Sequence, residues 1–355
     1  MLTLPASDAS RLARLGWNQF FANAFAGIGE SDLEPARVSI EHNHLFRVYT
    51  ASAELLASVA GRLIHSASEP SALPSVGDWV AIRNNSDGPA QIREILPRTT
   101  CFSRKAAGDK TKRQIIASNV DTVFLVSGLD HEFNSKRIER YLVAAKDSGA
   151  KPVIVLNKGD LEKDQTAVLD ELKAVAPNIS LHVTSCVDNR GIDELGQYLS
   201  GGETIALLGS SGVGKSSLIN QLLGYDRQST QTVRVRDSRG RHTTVHRELL
   251  VHPTSGVIID TPGMRELRLW DTSESLDATF DDLSVLAEQC RFRDCRHETE
   301  PGCAVKAAVD QGQISVNRLT HYRKLRSEQT QLDQRRLKLA KLQEKQSTKQ
   351  GSRRQ

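Results

Sequence analysis

The segment TIALLGSSGVGKSSLINQLL, residues 204–223, constrains the fold more than any other stretch. An apolar run ends in G-x-x-x-x-G-K-S, and a helix-patterned run begins immediately behind it. The glycines let the backbone curl so that successive N–H groups point at phosphate oxygens, and the following helix adds the positive end of its dipole. A strand, a tight glycine loop and a helix in that order predict a phosphate-binding loop; a glycine-rich turn without a ligand is the plain alternative. Gly209, Ser210, Ser211, Gly212, Val213, Gly214, Lys215, Ser216 and Ser217 are therefore expected around nucleotide phosphates. Lys215 should reach the β and γ phosphates, and Ser216 should ligate Mg²⁺.

A second element reads the base, and it comes earlier in the sequence. Asn157, Lys158 and Asp160 end the apolar run KPVIVLN as N-K-G-D, about fifty residues ahead of the phosphate loop. A carboxylate at Asp160 can accept from both N1–H and the exocyclic amine of guanine. Adenine offers no such donor pair, and a buried carboxylate left unpaired is costly, so GTP and GDP are the expected nucleotides. Lys158 would lie along the base plane, while Asn157 would hold the loop and touch the base edge. VTSC, residues 183–186, also ends a strand-like run, where a backbone N–H at Ser185 or Cys186 would support the guanine oxygen. A lone N-K-x-D is often only a polar turn.

Asp260-Thr261-Pro262-Gly263 follows the apolar run GVII. Asp260 would hold Mg²⁺ directly or through water, and the Gly263 N–H would approach the γ-phosphate. Met264 comes next, so the glutamine that orients water in Ras-type enzymes is missing there. The segment RGRHTTVHREL, residues 239–249, lies where a mobile switch would carry Thr243 or Thr244 to the metal. His242 is the nearest polar candidate for positioning the water; a surface-loop histidine is the plain alternative.

Cysteines number five, three of them within residues 290–303. Cys290, Cys295, His297 and Cys303 form C-x₄-C-x-H-x₅-C. Three thiolates and an imidazole suit tetrahedral Zn²⁺, and four protein ligands close the site, making it structural rather than catalytic.

Around these motifs the sequence has a layered organisation. Residues 1–34 form an N-terminal extension in which residues 7–26 carry apolar positions at helical spacing, read as a docking helix. Residues 35–105 carry short alternating runs (ARVSIEH, LFRVYT, SVAGRLIH, DWVAIR, AQIREIL) of a small β-barrel. Over 109–269, apolar strands alternate with helical stretches, the pattern of an α/β domain with a parallel sheet. Residues 270–320 are helical around the cysteines, and 321–355 form a basic helical tail. From Arg318 onward twelve Lys or Arg face three Asp or Glu, so this end carries +9 where the whole protein carries +4, leaving about −5 elsewhere. Such a tail is either a footprint for nucleic acid or a solvated helix. No apolar run approaches the roughly 20 residues of a membrane span, and no signal-peptide core is present, so a cytoplasmic location away from membranes is expected.

The order N-K-G-D, T-S-C, G-S-S-G-V-G-K-S, H-T-T, D-T-P-G and then the cysteine cluster resembles the RsgA family of circularly permuted GTPases, from about residue 35 to about 320. RQIIASNVDTVFLV and FNSKRIERYLVAA resemble that family's entry into its GTPase domain. The resemblance implies an N-terminal OB-fold, a permuted P-loop GTPase domain and a C-terminal α-helical zinc-binding domain. It also implies GTP hydrolysis stimulated by the small (30S) ribosomal subunit, contact with 16S rRNA through the OB and zinc domains, and release late in assembly. A monomer using GTP with Mg²⁺ and one structural Zn²⁺ is expected. The competing reading is a binding module, an RNA-binding scaffold that GTP merely stabilises.

Overall fold

The computed structural model describes residues 6–42, 45–67, 69–105, 113–130, 133–162, 164–225, 247–260 and 273–351. The protein divides into two compact units, one of residues 1–104 and 112–267, the other of 105–111 and 268–355.

The first unit opens with α1 (Ala6–Arg14) and α2 (Gln19–Ala26). The sequence predicts a single docking helix here, and Gly16 is what divides it. Its φ of +91° is left-handed, and a Cβ there would lie 2.6 Å from the Arg37 guanidinium. Asn18 then starts α2 afresh, its side chain accepting from the N–H groups of Phe20 and Phe21.

The barrel follows as β1 (Glu34–His42), β2 (Leu45–Tyr49), β3 (Glu54–Val59), α3 (Gly61–Ser66), β4 (Trp79–Arg83) and β5 (Ala90–Ile95). Its strand order is β1-β2-β3-β5-β4, and β4 pairs back onto β1, which closes it. Closure removes the exposed edges that a five-stranded sheet would otherwise leave. Ala36, Val38, Phe46, Val48, Val80, Ile82 and Ile92 fill the interior. The run SVAGRLIH is not one strand: the third strand is ELLASV, and GRLIHS is α3. Because β3 and β5 run parallel, the backbone must cross over between them, and α3 and β4 lie on that crossover.

After a two-stranded ribbon, β6 (Cys101–Lys105) and β7 (Arg113–Ser118), the α/β sheet begins. Its elements are β8 (Thr122–Gly128), α4 (Ser135–Ser148), β9 (Lys151–Asn157), α5 (Thr166–Val175), β10 (Ser180–Val183), α6 (Ile192–Gly196), β11 (Thr204–Gly209), α7 (Lys215–Leu223), β12 (Glu248–Val251) and β13 (Val257–Asp260). The sheet order is β10-β9-β8-β11-β13-β12, all parallel except β12. Numbered from the phosphate-loop strand β11 as first, it becomes 6-5-4-1-3-2, the sheet of a protein in which that strand comes first. A circular permutation leaves strand neighbours unchanged, so the same sheet forms from a different starting point. The central strands TVFLVSG, VIVLN and TIALLG are apolar almost throughout because helices cover both faces.

Arg37 ties the parts of this unit together. Ala36 and Val38 point into the barrel, so alternation turns Arg37 outward, yet it is 1% exposed. Its guanidinium donates to the carbonyls of Leu15 from the extension, Gly77 from the barrel and Asn119 from the α/β domain, and to Thr204 Oγ1 at the start of β11. It also lies over the Trp79 ring, against which Trp17 packs edge-on at 4.7 Å. Burial pushes its pKa down to about 10 against the pull of Asp121 and Asp78, so it is a cation at neutral pH.

The second unit contains α8 (Ser273–Thr279), α9 (Asp281–Ala287), α10 (Ala304–Asp310) and α11 (Val316–Gly351). Leu276, Phe280, Leu283, Val305, Tyr322 and Leu325 form its buried interior. Arg318 grips Asp282 through two contacts of 2.7 Å while lying over Phe280, which fixes α11 to α9.

Replacing Arg37 by Ala should strand the buried carbonyls of Leu15 and Asn119, with Gly77 O keeping its bond from Asn119 Nδ2, and lower the stability of the first unit by about 3–5 kcal/mol. Thermal or urea unfolding followed by tryptophan fluorescence checks this, and a change below about 1 kcal/mol would show that Arg37 is not the tie described.

Candidate nucleotide site and metal centre

In an open α/β sheet, ligands sit outside the carboxyl ends of the parallel strands. Those ends carry Asp130 just beyond β8, Asn157 on β9, the T-S-C turn after β10, Gly209 on β11 and Asp260 on β13. The sequence motifs, scattered over a hundred residues, thus meet along one rim.

Asn157 is the joint between them. It is 2% exposed, and its Nδ2 donates to Val213 O of the phosphate loop at 2.9 Å. Its Oδ1 accepts from Thr184 Oγ1 at 3.2 Å and from Cys186 Sγ at 3.7 Å. One amide therefore fastens the base-reading loop to both the phosphate loop and the T-S-C turn. Gly214 completes the fit, since a Cβ there would lie 2.2 Å from Asn157 Nδ2, and its φ is +93°.

The phosphate loop leads into α7 with Gly214 at its cap, so the first N–H groups of the helix face the loop's concavity. Lys215 Nζ donates to Gly209 O and Ser210 O at 2.8 and 2.6 Å, folding across the loop mouth. Ser216 and Ser217 are both exposed in the first turn, and Ser211 and Gly212 are exposed at the tip. Asp260 closes β13, half-buried.

On the base side, Asp160 is exposed and Lys158 adopts φ of +63°. Lys158 Nζ pairs with Asp130 Oδ2 at 2.7 Å, a partner absent from the motif. Ser185 uses its N–H on Arg190 O, and its hydroxyl accepts from the N–H groups of Val187 and Asp188. Cys186 is half-buried, and burial raises its thiol pKa. His242, Thr243, Thr244 and Gly263 lie outside the described residues.

The metal cluster is formed in the second unit. The donor atoms of Cys290, Cys295, His297 and Cys303 all lie within 4.8 Å of one another. Cys290 Sγ is 3.8 Å from Cys303 Sγ and 3.6 Å from His297 Nδ1, and His297 Nδ1 is 3.4 Å from Cys303 Sγ. A tetrahedron with Zn–S of about 2.3 Å and Zn–N of about 2.0 Å has edges of roughly 3.8 and 3.6 Å, so the donor set fits zinc. Burial, with Arg326 nearby, holds His297 below its usual pKa, keeping the imidazole in its neutral, ligating form. Cys303 also caps α10, its Sγ accepting from Lys306 N–H.

Asp130 and Arg137 escape sequence reasoning. Asp130 sits two residues beyond a strand end, a position whose contacts only the sheet register reveals. Arg137, in the first turn of α4, donates from Nη1 to Ser210 Oγ of the phosphate loop at 2.7 Å.

A sheet whose base-reading strand precedes its phosphate-loop strand in sequence, with both loops fastened by one buried amide, is that of a circularly permuted P-loop GTPase. Comparisons with known proteins agree. A family model described as RsgA GTPase matches residues 95–270. The small ribosomal subunit biogenesis GTPase RsgA of Opitutus terrae is 47% identical over 328 residues, covering 90% of this chain and 89% of that protein. RsgA 2 of Lactiplantibacillus plantarum is 44% identical over 309 residues, with 86% and 87% covered. Among solved structures, YjeQ from Thermotoga maritima superposes with a TM-score of 0.63 at 28% identity, covering 84% of this chain and 99% of that one. YloQ, described as a circularly permuted GTPase, shares the fold at a TM-score of 0.60 and 23% identity, covering 86% of this chain and 96% of that one. The chain belongs to the RsgA GTPase family, and it is a GTP-hydrolysing enzyme. An ABC transporter model also matches residues 192–349, a span that includes the phosphate loop but not the N-K-G-D element.

Purified protein should carry one zinc per molecule. A chelator strong enough to strip it, or Cys303→Ser, should lower helical circular dichroism and thermal stability of the second unit. Metal-free protein with unchanged helicity would contradict a structural zinc.

Proposed function

We propose that this GTPase acts in late maturation of the small (30S) ribosomal subunit, with hydrolysis stimulated by the subunit and release coupled to hydrolysis. The Asn157 joint supports a site that binds guanine and phosphates as one unit, and the relatives are named small ribosomal subunit biogenesis GTPases. Asn157, Lys158 and Asp160 take the base, assisted by the T-S-C turn at Ser185 and Cys186. The loop from Gly209 to Ser217 takes the phosphates, with Lys215 at the β and γ positions. Ser216 and Asp260 hold Mg²⁺, which neutralises charge on the phosphates. Thr243 or Thr244 and Gly263 complete the γ-phosphate side, and His242 orients the water.

The closed barrel and the zinc-held unit are the surfaces for 16S rRNA, and the protein works as a cytoplasmic monomer. Among the described residues, no helix is long and apolar enough to cross a membrane. The basic tail of α11 adds a sequence-independent attraction to phosphate backbones. Met264, in place of a water-orienting glutamine, favours slow turnover by the protein alone and leaves a second reading, a scaffold that GTP stabilises.

Phosphate release measured with and without purified small subunits separates the two. The enzyme reading predicts stimulation of about tenfold or more, equivalent to lowering the barrier by roughly 1.4 kcal/mol. A rate unchanged by the subunit would overturn the stimulated reading and leave a slow GTPase that serves as a scaffold stabilised by GTP.

A further inference from the structure

Two cations converge on one residue of the phosphate loop. Lys215 Nζ donates to Ser210 O at 2.6 Å, and Arg137 Nη1 donates to Ser210 Oγ at 2.7 Å. Lysine at this motif position serves the β and γ phosphates. Arg137 therefore stands one serine away from the group that meets the terminal phosphates.

The placement of Arg137 is firm. It occupies the first turn of α4, whose cap Asn134 accepts from Arg137 N–H through Oδ1 at 3.2 Å. The helix packs on β8 and β9, whose carboxyl ends lead to Asp130 and Asn157, so its start is held against the same rim. Arg137 is half-buried, and no acidic side chain among the described residues pairs with it. A guanidinium has five N–H donors in a rigid fork suited to phosphate oxygens, and the Ser210 bond uses one. With no acidic partner among the described residues, partly desolvated and beside a second positive charge, it is stabilised by an arriving anion.

We propose that Arg137 is a phosphate-binding arginine supplied in cis, which rests on Ser210 Oγ and engages the γ-phosphate when GTP is bound. The inference rests on the nucleotide site described above. It gives the site a group that distinguishes triphosphate from diphosphate, and one that meets developing charge in a protein with Met264 after D-T-P-G. A guanidinium carried by the same polypeptide needs no partner protein to deliver it.

Equilibrium binding of GDP and of a non-hydrolysable GTP analogue to the full-length protein, its Arg137→Ala and Arg137→Gln variants and Lys215→Ala tests this. Both Arg137 variants should bind the analogue roughly ten- to a hundredfold more weakly while GDP affinity changes by less than about threefold, as expected for loss of a charge-assisted contact to one phosphate. GDP binding that survives also reports that the variants are folded. Equal weakening of both nucleotides would overturn the proposal and make Arg137 a structural pin of the loop, and unchanged affinities for both would overturn it as well. Wild-type binding untouched by Lys215→Ala would overturn the nucleotide site itself and the inference with it. Loss of both ligands in Lys215→Ala, beside an unchanged analogue-to-GDP ratio in the Arg137 variants, would overturn the arginine alone.

Discussion

The nucleotide site depends on the side-chain amide of Asn157, which has a donor and an acceptor and uses both. The donor fastens the phosphate loop through Val213 O, and the acceptor fastens the T-S-C turn through Thr184 and Cys186. Neither contact depends on the order in which the three segments occur in the sequence. Strand adjacency brings β9 beside β8 and β8 beside β11, and the amide bridges the loops at their ends. The permutation therefore changes which segments the site connects to, while its internal geometry depends only on neighbours. Here the D-T-P-G element is followed within about thirty residues by the first zinc ligand.

Arg37 plays the corresponding part for the first unit as a whole. A buried arginine is costly, and the cost is offset because carbonyls and a hydroxyl from separate segments accept from it and an indole ring lies beneath it. Gly16 and Gly202 permit the close approach: a Cβ on Gly202 would lie 2.0 Å from Ala13 O of the extension. Arg14 adds a contact from the end of α1 to Pro253 O at 2.6 Å. The N-terminal extension is thus packed as part of the unit that carries the nucleotide site.

The elements legible in the sequence are those whose chemistry is local. A glycine loop between an apolar strand and a helix, an N-K-x-D at a strand end and a cysteine cluster at ligand spacing each announce themselves, because a few adjacent residues must satisfy one ligand. The barrel is legible as a class through its alternation, but SVAGRLIH hides a boundary, since Leu63 packs against the barrel interior from α3 much as a strand residue would. Arg37 is illegible because a charged residue between two apolar strand positions reads as solvent-facing, and only the extension and the α/β domain bury it. Asp130 and Arg137 stay hidden for a related reason: each acts across strands, on a residue 28 or 73 positions away. Long-range polar contacts leave no periodicity to read.

The central claim is that the permuted protein assembles one guanine site around Asn157, with Asp160 reading the base. Nucleotide preference of Asp160→Asn, measured by competition among guanosine, xanthosine and adenosine diphosphates, tests it most directly. An amide at this position offers a donor where the carboxylate only accepted, so the variant should prefer the xanthosine nucleotide while wild type prefers guanosine, with a switch of about tenfold or more in relative affinity. An unchanged guanosine preference in the variant would contradict the account, because the base would then be read somewhere other than the loop that Asn157 holds.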